Sequence, residues 1–108
     1  MIKGEEEETI SPTYEGEWKE GLRCGIGRQE YPGTGNYYGY WQNDQRHGEG
    51  VMKYDHTTGD VYSGNWANGQ KDGKGTYVFE KTGQKYVGHF SQGQMVSGKW
   101  LLPNGTCF

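Results

Sequence analysis

The chain has 108 residues, enough for one domain, with a formal net charge of −3 and 31% hydrophobic residues, roughly half of them within a 15% aromatic share. Leu, Ile, Val and Phe make up about 13% of it, too few for a thick aliphatic core, so buried area has to come from rings that each cover about 150–250 Å². No run approaches the ~20 apolar residues of a membrane-spanning helix, and the charge balance gives no electrostatic reason to expect nucleic acid or an anionic lipid surface as partner.

In chain order, residues 1–13 set Lys3 against Glu5, Glu6, Glu7 and Glu8 and so hold the whole net charge of −3. They are expected to form an acidic, solvated, disordered tail. The N-terminus lacks the apolar stretch of a signal peptide, which gives the expectation of an intracellular protein.

From residue 14 an aromatic–X–Gly–X–aromatic unit returns every 23 to 25 residues. The units are Tyr14-Glu15-Gly16-Glu17-Trp18, Tyr37-Tyr38-Gly39-Tyr40-Trp41, Tyr62-Ser63-Gly64-Asn65-Trp66 and Tyr86-Val87-Gly88-His89-Phe90. A fixed period of this size marks a stack of small identical units and turns attention from a pocket to an extended surface. Each unit alternates with period two and reads as a strand. Turn pairs follow at Glu20-Gly21, Asn43-Asp44, Asn68-Gly69 and Gln92-Gly93. Asn-Gly is a strong hairpin signal because both central positions need φ > 0, and Asp44 is compatible because Asp visits that region readily.

Two-residue turns set an expected register for each hairpin. Trp18 then faces Arg23, Gly16 faces Gly25 and Tyr14 faces Gly27. Trp41 faces Arg46, Gly39 faces Gly48 and Tyr37 faces Gly50. Trp66 faces Lys71, Gly64 faces Gly73 and Tyr62 faces Gly75. One face collects the rings, the paired glycines and a cation over each indole, a contact worth about 0.5–1 kcal/mol when exposed. The missing side chains form a trough in which rings lie flat, recovering by burial more than the glycines forfeit. In the fourth hairpin Phe90 faces Met95, Gly88 faces Ser97 and Tyr86 faces Lys99. The chain ends on Phe108, in the first aromatic position of a fifth unit.

Little else carries chemistry. Gly25-Ile26-Gly27, Gly48-Glu49-Gly50 and Gly73-Lys74-Gly75 lack the third glycine and following helix of a dinucleotide site. His47, His56 and His89 fall in separate units without zinc-ligand spacing. Cys24 and Cys107 stand too many strands apart for a bridge if the units form one sheet. No catalytic residue, metal or cofactor is expected.

Tyr-X-Gly-X-Trp, a turn, then Gly-X-Gly resembles the MORN repeat (membrane occupation and recognition nexus), over residues 14–108, with copies starting near 14, 37, 62 and 86. The resemblance implies an all-β, single-layer, elongated and twisted antiparallel sheet of tandem hairpins. Such repeats occur in radial spoke head proteins, junctophilins, plant phosphatidylinositol phosphate kinases, apicomplexan cytoskeletal proteins and beside a SET methyltransferase domain. The stretches from Lys71 to Phe79 and from Thr82 to Gly88 look most like radial spoke head members. That implies a non-enzymatic scaffold in the ciliary axoneme, with other spoke subunits as partners.

The expected partner surface is the aromatic face: Tyr14, Trp18, Tyr37, Trp41, Tyr62, Trp66, Tyr86, Phe90 and Trp100. Gly16, Gly25, Gly27, Gly39, Gly48, Gly50, Gly64, Gly73, Gly75 and Gly88 are expected to be structural. Tyr38, Tyr40, Val87 and His89 form a second patch on the opposite face. Phosphoinositide binding is the alternative, weakened by basic residues interspersed with equal acid. A third reading makes the chain the targeting part of a larger enzyme. An unpaired final strand near Lys99-Trp100-Leu101-Leu102 leads to an expected homodimer.

Overall fold

The computed structural model describes residues 13–55, 57–104 and 106. The acidic segment up to residue 12, His56, Cys107 and Phe108 lie outside the described residues, and with them the expectations placed there. Eight strands follow in chain order: β1 (Thr13–Lys19), β2 (Leu22–Tyr31), β3 (Gly35–Gln42), β4 (Gln45–Lys53), β5 (Val61–Ala67), β6 (Gln70–Val78), β7 (Lys85–Ser91) and β8 (Gln94–Leu101). Thr13 opens β1 and so belongs to the sheet, one residue earlier than the expected tail boundary.

Each strand pairs antiparallel with the next, giving one open sheet in sequential order measuring 55 × 30 × 19 Å. All four tight turns have positive φ at both central positions, at 53° and 80° for Glu20-Gly21 and 50° and 70° for Asn43-Asp44. That is the type I′ geometry whose twist matches the flanking strands. The turns line one long side of the sheet. Longer connections after Tyr31, Tyr54 and Phe79 line the other, tied by bonds such as Tyr54 N–H to the Asp60 carbonyl at 2.8 Å and Phe79 N–H to the Gln84 carbonyl at 2.9 Å.

Beside the turns the register is as expected: Trp18 faces Arg23, Trp41 faces Arg46, Trp66 faces Lys71 and Phe90 faces Met95. Further along, it slips. Gly16 faces Gly27 instead of Gly25, Gly39 faces Gly50 instead of Gly48, and Gly64 faces Gly75 instead of Gly73. Tyr14, Tyr37 and Tyr62 consequently face Gln29, Met52 and Tyr77, not the glycines Gly27, Gly50 and Gly75. The cause is a bulge that inserts two extra residues into the second strand of each hairpin. Its glycine takes a left-handed conformation, with φ of 62° at Gly25, 71° at Gly48 and 96° at Gly73, which a side chain would strain. In the fourth hairpin the bulge holds one extra residue, so Gly88 faces Gly98 instead of Ser97, and Tyr86 faces Trp100 instead of Lys99.

The slips produce one continuous line. Gly16, Gly27, Gly39, Gly50, Gly64, Gly75, Gly88 and Gly98 are successive cross-strand partners from β1 to β8. The buried core lies directly along it and consists of Tyr37, Trp41, Met52, Tyr62, Trp66, Tyr86 and Phe90.

Candidate interaction surfaces

A single-layer sheet has no second layer to cover its rings, yet Tyr37 and Tyr62 are 0% exposed and Trp41 and Trp66 are 4% exposed. The glycine line explains this. A β-carbon on Gly27, Gly50 or Gly75 would collide with the ring of Tyr14, Tyr37 or Tyr62 respectively, so each phenol lies flat across bare backbone. Its hydroxyl reaches the bulge and donates to a carbonyl: Tyr14 to Glu17 at 2.9 Å, Tyr37 to Tyr40 at 2.9 Å, Tyr62 to Asn65 at 2.8 Å. Burial pushes the phenols of Tyr37 and Tyr77 upward in pKa and that of Tyr62 up to about 12. For Tyr77 a bond to the buried Asp60 carboxylate, 2.9 Å away, adds to the effect of burial.

The indoles lean toward the preceding hairpin. Trp41 Nε1–H donates to the Gly27 carbonyl at 3.0 Å, and Trp66 Nε1–H to the Gly50 carbonyl at 3.1 Å. Each therefore meets the tyrosine of its own hairpin and of the one before, edge to face. Centroid separations are 5.2 Å for Tyr37–Trp41, 5.3 Å for Tyr14–Trp41, 5.2 Å for Tyr62–Trp66 and 5.2 Å for Tyr37–Trp66. Tyr62–Phe90, Tyr86–Phe90 and Tyr86–Trp100 continue the series, and Tyr14–Trp18 begins it. All nine rings assigned from sequence to the aromatic face thus form one unbroken file.

The lean also moves the cations. Arg23 was expected over Trp18; its guanidinium lies 4.5 Å from the Trp41 ring. Arg46 lies 4.8 Å from Trp66, not over Trp41, and Lys71 is shared among Tyr54, Tyr62 and Tyr77, not over Trp66. An indole that has crossed onto the previous hairpin finds that hairpin's cation waiting. These cations also fasten the next turn: Arg46 Nη2 donates to the Gly69 carbonyl at 2.6 Å, and Arg23 Nη2 to the Asp44 carbonyl at 2.8 Å. Asp44, in the turn position that is glycine elsewhere, returns an ion pair to Arg23 Nε at 2.7 Å. That hydrogen-bonded pairing holds its carboxyl below the usual aspartate range. Sequence reading gave Asp44 only a conformational reason; its position opposite the preceding unit's arginine was the missed signal.

Six of the nine rings, Tyr37, Trp41, Tyr62, Trp66, Tyr86 and Phe90, are buried by one another and offer a partner almost no area. Trp18 and Trp100, at the two ends, remain exposed. The opposite face differs. A groove of about 800 Å³ crosses β2 to β7, floored by the glycine line and walled by side chains that include Tyr38, Tyr40, Val51, Lys74, Val87 and His89. All four residues of the second patch, Tyr38, Tyr40, Val87 and His89, come together there. Tyr38 is 57% exposed and Tyr40 48%. Glu49 and Lys74 sit among them, so the walls are apolar with charges of both signs.

The sequence matches the family model described as MORN repeat over residues 14–34, 37–55, 62–83 and 86–107. No curated protein matches the chain. Repeats of this kind generally form non-enzymatic modules that mediate protein or lipid interactions. With four tandem copies spanning most of its length and the hairpin sheet they build, the chain belongs to the MORN repeat family.

Proposed function

We propose that this protein is a non-enzymatic scaffold that holds a segment of another protein in the groove, and that it works in the ciliary axoneme as a radial spoke head component. One observation carries the groove: the rings of the repeat motif are consumed internally, whereas Tyr38, Tyr40 and Val87 stand exposed together along a continuous channel. Exposed aromatic side chains cost little conformational entropy to immobilise and are the usual anchors of protein contacts. A rigid sheet presents them at fixed spacing. The axonemal assignment rests on the likeness of the stretches from Lys71 to Phe79 and from Thr82 to Gly88 to radial spoke head members.

The test is co-sedimentation with radial spoke heads isolated from axonemes, using the native chain and a Tyr38→Ala/Tyr40→Ala variant. Both side chains are exposed, so stability should change by no more than about 0.5 kcal/mol per site. The native chain is expected to bind and the variant to bind at least about tenfold more weakly, the loss of one aromatic anchor. Undiminished binding by the variant overturns the groove. Absence of binding by the native chain overturns the axonemal assignment. Flotation with phosphoinositide vesicles that survives moderate salt would favour the lipid reading instead.

A further inference from the structure

The two ends of the sheet complement each other. At the internal boundaries β2–β3, β4–β5 and β6–β7, the first strand of one hairpin lies on the second strand of its predecessor, with Gly27 opposite Gly39, Gly50 opposite Gly64 and Gly75 opposite Gly88. The arriving ring, Trp41, Trp66 or Phe90, is covered by that contact. Trp18 occupies the same motif position on β1, whose outer side carries no strand among the described residues, and is 56% exposed, against 4% for Trp41 and Trp66. At the far end β8 has no strand on its outer side among the described residues, and Met95, Val96 and Trp100 are exposed there.

We propose that the β8 edge of one molecule receives the β1 edge of a second copy, Gly98 opposite Gly16, so that the chain assembles head to tail. That register repeats the internal boundary. It sets Trp100 opposite Tyr14 and Val96 opposite Trp18, and on the groove face it sets Lys99 opposite Glu15. Met95 holds the position from which Arg23 and Arg46 cover the next indole, and its thioether offers Trp18 a sulfur–aromatic contact. Charge selects this pairing over the symmetric ones. In the same glycine-to-glycine register two β1 edges would set Glu15 against Glu17 twice, a like-charge clash, and two β8 edges would set Lys99 against Ser97, with no ion pair gained. Val96 replaces the left-handed glycine that receives the ring at internal boundaries, so the junction is weaker than those and reversible. A head-to-tail contact does not close after two copies; it grows with concentration, in place of the simple homodimer expected from the unpaired strand. This inference is independent of the groove.

Sedimentation velocity of the 108-residue chain from about 1 μM to about 1 mM tests it, a range that covers weak association. The mass should climb past twice the monomer without a plateau. Lys99→Glu and Glu15→Lys should each weaken association about fivefold, the effect of turning an opposite-charge cross-strand pair into a like-charge one. An equimolar mixture of the two variants should recover it, because each reversed edge then meets its complement. Glu15 also faces Arg28 within the chain, so near-UV circular dichroism must match the native signal; Lys99 faces only Val87 and carries the test if Glu15→Lys does not fold. A plateau at dimer mass, a monomer throughout the range, or indifference to Lys99→Glu overturns the proposal.

Discussion

At Gly50 the nearest atoms to an added β-carbon belong to the Tyr37 ring, whereas at Gly21 there is nothing within 4 Å and only the φ of 80° resists substitution. The two positions separate space from backbone strain. Gly50→Ala is expected to cost about 1–3 kcal/mol by forcing a buried ring from its site. Gly21→Ala should cost about 1 kcal/mol, the strain of a left-handed alanine. Urea unfolding of both variants gives the order, and a Gly50→Ala variant no weaker than Gly21→Ala would show that the phenol does not need bare backbone beneath it. The reason for these glycines was legible from their repeated positions within the strands: so many there must be repaid by something flat. Which ring each one serves was legible too, since Gly50 does receive Tyr37. It does so diagonally, past the bulge, and not as a directly opposite partner.

Hairpins are finished by their predecessors. Arg46 belongs to the second hairpin, but its guanidinium covers Trp66 and bonds the Gly69 carbonyl in the third. Arg46→Ala should therefore cost about 2 kcal/mol, one charged hydrogen bond and one cation–π contact. Its largest amide chemical-shift changes should fall in the Ala67–Gln70 turn, not at Asn43 and Asp44, where Arg46 itself is hairpinned. Element type, turn type and the residue pair facing across each turn, Trp with a cation in the first three hairpins and Phe90 with Met95 in the fourth, could all be read from the sequence. The bulges could not, for a physical reason: a two-residue slip leaves every side chain on its original face, and Gly-X-Gly accepts either glycine as partner. Only the fourth hairpin broke the degeneracy. There the glycine available to Gly88 is Gly98, one position beyond Ser97, and that offset also brings Trp100 under Tyr86. The groove was half legible: alternation sent Tyr38, Tyr40, Val87 and His89 to one face, but that Val51, Lys74 and Glu49 join them around one channel depends on the bulge-shifted register of the strands between.

Over the whole molecule, backbone pairing passes only between adjacent strands and ring contacts reach only the neighbouring hairpin, so stability is a sum of nearest-neighbour hairpin terms that is fullest in the middle. Fully or nearly fully buried rings occupy β3, β5 and β7, whereas β1 and β8 are largely exposed. Hydrogen exchange is expected to be slowest in β3 to β6 and fastest in β1 and β8, by about tenfold or more for an opening that differs by ~1.4 kcal/mol. Uniform protection across all eight strands would contradict additive coupling. The staggered arginines have one further consequence, for how such a chain can be edited. Because Arg23 locks the turn at Asp44 and Arg46 the turn at Gly69, the excisable module is not the visible hairpin. It runs from the second strand of one unit to the first strand of the next, and splices made in that phase leave every lock with its own key.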